Sequence, residues 1–120
     1  LVTLDLHDDG ALVELDARIE ASRAVDLTRI CLEEAVAGLG QALIALERAP
    51  DVAPGATLAR AQSIAVYLAR SVAPENPLRQ SLVQFYGGLA EAIGRNIAQP
   101  SAAEIAQVRD DFEDLLSAVS

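Results

Sequence analysis

The sequence predicts an all-α protein, an antiparallel up-and-down four-helix bundle carrying a short extra N-terminal helix or arm. Three observations predict it. Apolar residues recur three or four apart through four long stretches, the prolines fall at or between the ends of those stretches, and no alternating strand pattern survives after residue 10. Hydrophobic residues make up 52% of the chain but aromatics only 3%, with no Trp and no Met. Such a core consists of Leu, Ile, Val and many alanines, which suits helices packed closely on small side chains. A length of 120 residues implies a single domain, with the arm and short helix over residues 1–23 and the bundle over 24–120.

Leu1 to His7 alternate weakly, and Asp8-Asp9-Gly10 ends that run. This is the expected arm. From Ala11 the spacing turns helical, with Leu12, Leu15 and Ile19 on one side and Asp8 or Asp9 as N-cap. A second helix is expected from the N-cap Asp26 to about Arg48, where Pro50, Pro54 and Gly55 stop it; whether it joins the first through Ser22-Arg23 is open. A third runs from Thr57 to about Val72 on the stripe Leu58, Ala61, Ile64, Ala65, Leu68 and Val72, and Pro74 ends it. The fourth has Asn76 as cap, Pro77 at its first position and a stripe of Leu78, Leu82, Phe85, Leu89 and Ile93, reaching about Ile97. Ser101 to Glu104 form an S-x-x-E capping box that opens the last helix, which carries Ile105, Val108, Phe112, Leu115 and Val119.

Apolar residues lie off these stripes as well. The second helix buries Leu32, Val36, Leu39, Leu43 and Leu46 on one face, yet Leu27, Ile30, Ala37 and Ile44 lie well away from it. Val66 and Tyr67 on the third helix, and Val83, Tyr86, Ala90 and Ile97 on the fourth, repeat the pattern. Either central helices touch several neighbours, or these stripes line a groove for a partner. Leu27, Ile30, Ile44, Val66, Tyr67, Val83 and Tyr86 are therefore the candidate partner-binding residues. Gly87-Gly88 costs helix stability, so close helix packing or room for a ligand backbone is expected there.

Several chemistries find no residues. His7 is the only histidine and there is no lysine, which removes di-iron Glu-x-x-His pairs, helix-borne phosphoacceptor histidines, P-loops and Schiff bases. Cys31, inside a helix and without a histidine base, reads as an inert thiol that forms no intramolecular bridge. Asp110, Asp111, Glu113 and Asp114 are scattered by helical spacing and read as a solvated face, as do Glu33 and Glu34. No catalytic residue, metal or cofactor is expected. A net charge of −9 repels phosphate backbones and anionic lipids, disfavouring nucleic-acid and membrane partners. The most apolar uncharged stretch, Ala35 to Leu46, is too short for a membrane span. Leu1 rather than Met opens the chain, which leaves its natural start open.

From about Ala24 to Val119 the order of motifs resembles the flagellin export chaperone family (FliS). The family's run L-x-x-M-L-Y-D-G-A-h-x-x-L, with h apolar, is similar in register to Leu27, Ile30, Cys31, Leu32, Glu33, Glu34, Ala35, Val36 and Leu39. Leu32 stands where the family has tyrosine and Glu34 where it has glycine, and Val25-Asp26 replaces a Ser-Pro. Phe85-Tyr86 resembles the family's Leu-Tyr, Asn96-Ile97 its Asn-Leu, and Val108 to Val119 its closing segment, with Val119 in place of the final tryptophan. The resemblance implies a cytoplasmic role: binding the C-terminal segment of flagellin, preventing its premature polymerisation and delivering it to export. Pro74-Glu75-Asn76-Pro77-Leu78 is faintly similar to another flagellin-synthesis regulator (FlaF). The competing expectation is a structural bundle that self-associates, as a homodimer, through its extra apolar stripes.

Overall fold

The computed structural model describes residues 9–119, with side chains from residue 12 onward; the expected arm, including His7, lies outside the described residues. Four helices make up the fold, α1 (Asp9–Arg48), α2 (Gly55–Ser71), α3 (Arg79–Ala98) and α4 (Ala102–Val119), with no strand among the described residues. Each helix packs on its neighbours in sequence, and α4 closes the ring against α1, while the diagonal pairs α1/α3 and α2/α4 stay apart. This is the expected four-helix bundle.

The two helices expected before Pro50 are one. Neither Pro nor Gly interrupts residues 11–37, so nothing ends the hydrogen-bond ladder at Ser22-Arg23. Asp26 therefore sits inside a helix rather than at its start. Glu14–Arg18 and Arg29–Glu33 pair at i,i+4, and Glu20–Arg23 and Asp26–Arg29 at i,i+3, each a small local support for an exposed helix. Continuous burial begins only near Thr28. Ala24 and Val25 already line the end of the bundle with Leu68, Val72 and Val119, so the 15 residues from Asp9 to Arg23 project beyond it, roughly 22 Å at 1.5 Å per residue, which explains a longest dimension of 68 Å against 30 and 21 Å in the others.

The core joins Leu32, Leu39 and Leu46 of α1, Leu58 and Leu68 of α2, Leu89 and Ile93 of α3, and Ile105, Val108 and Phe112 of α4. Ala35, Ala42, Ala61, Ala65, Ala90 and Ala92 fill the rest, small side chains that let helix axes approach. The α3 stripe departs from expectation at one step. Tyr86 is buried at 6% exposure and Phe85 is 41% exposed, the reverse of the order the main stripe predicts. Both are compatible in spacing with Leu89, one lying three residues before it and the other four, so periodicity does not separate them. α3 packs extensively on α2 and sparsely on α4, which turns the Tyr86 side inward and leaves Phe85 over the open side.

Two boundaries carry their own chemistry. The side-chain oxygen of Asn76 accepts the N–H of Leu78 at 2.8 Å, an Asx turn that delays α3 from Pro77 to Arg79. At the α3–α4 corner the Ser101 hydroxyl accepts the Glu104 N–H at 3.3 Å, the first half of the expected capping box. The second half is replaced: the buried Asn96 side chain accepts the Ser101 N–H at 2.7 Å and donates to the Ala92 carbonyl at 2.8 Å. Glu104 is thereby free to pair with Arg95 at 2.8 Å.

Candidate functional site

Apolar surface remains after the core is formed, at the end of the bundle where Val25, Leu68, Val72, Leu82 and Val119 meet and on two longer faces. The first is the seam between α3 and α4, the thinnest of the four helix interfaces. Its floor is Phe85, Leu89, Ala92 and Val108, and its rim is Gln84, Arg95, Glu104, Gln107 and Asp111, enclosing a groove of about 360 Å³. The Arg95–Glu104 pair crosses it at the corner end. Gly88 also lines it, and a Cβ added there or at Gly87 would meet nothing within 4 Å. Close helix packing is therefore not what the glycine pair serves. An apolar floor inside a polar rim, with a missing side chain above it, accepts the apolar anchors of an amphipathic segment.

The second surface is the outward face of α1. Leu12, Leu15, Ile19, Leu27, Ile30 and Ile44 are all exposed, on the side away from Leu32, Leu39 and Leu46. Between this face and α2 lies a groove of about 410 Å³ lined by Glu34, Ala37, Gly38, Gln41, Thr57 and Arg60, with Arg60 pairing Glu34 across it at 3.5 Å.

The seven residues singled out by their spacing do not share one groove. Leu27, Ile30 and Ile44 are exposed on α1 and Tyr67 on α2. Val66 is half-buried against the core and lines a shallow depression with Tyr67 and Arg70. Val83 is half-buried beside Pro77 and Gln80. Tyr86 belongs to the core, where burial pushes its phenol above the ordinary range. Phe85 is the surface residue that spacing hid among the core stripe, and Gly87-Gly88 beside it was the signal that something at this point uses open space.

Polar chemistry is sparse. Burial, and then the Glu34 charge, push the half-buried Cys31 thiol up, away from a reactive thiolate. Among the described residues no group of three His, Cys, Asp or Glu is placed to hold a metal ion. Nor is any described helix long and apolar enough to cross a membrane. Asp111 accepts a hydrogen bond from Gln107 at 3.1 Å and Glu113 pairs with Arg109 at 3.3 Å, so these carboxylates are engaged along their own helix. No protein-family model, curated protein or solved structure matches the chain.

Proposed function

We propose that this protein is a helical binding module that acts as a cytoplasmic export chaperone for a flagellin-type partner, holding an amphipathic C-terminal segment of it before assembly. The observation that carries the binding reading is the open α3–α4 seam, where Phe85 stays exposed as part of an apolar floor although its neighbours Tyr86 and Leu89 pack into the bundle. An exposed aromatic in a concave, polar-rimmed site is a typical anchor point for a partner. The flagellin-type partner rests on the resemblance of motif order between Ala24 and Val119.

The test compares Phe85→Asp, Tyr67→Asp and Ile30→Asp for affinity toward a flagellin C-terminal peptide, with circular dichroism as the fold control. All three side chains are exposed, so each variant is expected to stay folded. Loss of binding by Phe85→Asp alone supports the seam. Loss by Tyr67→Asp or Ile30→Asp instead moves the site to the outer faces of α2 or α1. Because apolar burial is little affected by screening, the affinity is expected to change little with added salt. No binding by the unaltered protein ends the chaperone reading.

A further inference from the structure

The projecting part of α1 is an exposed helix, with no helix of the bundle beside residues 12–23, and its outward face carries matched residues about its middle. At 3.6 residues per turn, Leu12, Ile19, Arg23, Asp26, Ile30 and Ala37 all fall within about 30° of a single line down the helix. Their separations along the chain run seven, four, three, four and seven residues. Any row on an α-helix has such spacing; what this sequence adds, about a point between Ala24 and Val25, is isoleucine matched with isoleucine at Ile19 and Ile30 and opposite charges at the centre, Arg23 and Asp26.

With apolar matched to apolar and a positive to a negative charge, this line is complementary to itself turned end for end. We infer that α1 pairs antiparallel with α1 of a second copy, about a two-fold axis between Ala24 and Val25. In this register Ile19 faces the second copy's Ile30, Arg23 faces its Asp26, and Leu12 faces its Ala37, each contact occurring twice. Arg23 and Asp26 carry only exposed pairings within their own helix, to Glu20 at 3.8 Å and Arg29 at 3.3 Å, which leaves them able to pair across the axis.

The geometry permits this pairing. The core-facing residues Leu32, Leu39 and Leu46 lie on the opposite side of α1 from Ile30 and Ala37, so the second copy's projecting helix covers the free side of the bundle. Its own bundle lies alongside residues 12–21 of the first copy, on the other side of the helix pair. The large Leu12 arrives over Ala37 and Gly38, where a Cβ on Gly38 would meet nothing within 4 Å, at the edge of the α1–α2 groove. Large against small is the fit that lets two helices approach. Residues 12–37 of both copies overlap, a helix pair of roughly 39 Å, with Leu12, Leu15, Ile19, Leu27 and Ile30 of each copy exposed along it and supplying the apolar contact. This pairing is independent of the flagellin reading and leaves the α3–α4 seam free.

Sedimentation equilibrium over 1–100 μM, as a rough range around a micromolar dissociation constant, is expected to show a monomer–dimer equilibrium. A monomer throughout overturns the inference. In a Cys31→Ser background, the double variant Ile19→Cys/Ile30→Cys is expected to form an oxidised covalent dimer. Neither single variant is expected to do so, because in this register identical residues lie about 16 Å apart along the helix. Efficient cross-linking of the single variants overturns the antiparallel register. Arg23→Asp is expected to weaken dimerisation roughly tenfold by placing like charges across the axis, with Arg23→Asp/Asp26→Arg restoring it. An unchanged dissociation constant in Arg23→Asp, with helicity intact, overturns the central pairing.

Discussion

The side-chain amide of Gln62 occupies the space above Gly94. Its nitrogen donates to the Ala90 carbonyl at 3.2 Å and lies 2.6 Å from where a Gly94 Cβ would sit. This is the closest approach at any glycine among the described residues and it locks α2 to α3. Gly94→Ala displaces the end of a flexible side chain, losing a bond worth about 1 kcal/mol while gaining about 1 kcal/mol of helix propensity. The expected net change is near zero. In a Gln62→Ala background the same substitution is expected to stabilise by about 1 kcal/mol. Urea unfolding of the four proteins checks this, and additive effects would show that the two residues do not interact.

Gly87 and Gly88 behave oppositely, since a Cβ at either meets only open space. Gly87→Ala and Gly88→Ala are each expected to raise stability by about 1 kcal/mol, read as a higher melting temperature. Gly88→Ala is also expected to weaken partner binding, because Gly88 lines the α3–α4 groove. A destabilised Gly87→Ala protein would mean that α3 is packed closely there after all.

At the α3–α4 corner, Asn96→Ala is expected to cost about 2 kcal/mol, because it leaves the Ser101 N–H without its acceptor and removes a buried side chain. Ser101→Ala removes one N-cap acceptor and is expected to cost about 1 kcal/mol. Chemical denaturation ranks them, and an equal or reversed order would show that Ser101 rather than Asn96 holds the corner.

Tyr86 predicts an alkaline limit to stability. Its folded pKa lies above the ordinary 10.0 because burial disfavours the phenolate. Its stabilising contribution is therefore complete below pH 10 and is lost as pH rises through the folded pKa. Cys31, raised above its ordinary 9.0, acts with the same sign, so the comparison is made in a Cys31→Ala background. There Tyr86→Phe is expected to lessen the fall in melting temperature above pH 10. Equal curves for the two proteins would remove Tyr86 as the cause.

Local signals along the chain determined the helix content, the breaks at Pro50–Gly55 and Pro74, the capping serine and the stripes of α1, α2 and α4, because each depends on residues within a turn or two of one another. The single 40-residue α1 was undecided for a related reason: Asp26 is a good cap where a helix starts and equally comfortable inside one when Arg29 pairs with it. Only tertiary packing decided which of Phe85 and Tyr86 turns inward, since both fit the period and the choice depends on α3 packing more heavily on α2 than on α4. The same imbalance opens the seam that forms the candidate site. Packing likewise decided which glycine matters, because what lies above Gly94 is a glutamine from another helix, and residues distant in sequence meet there only once the bundle has formed.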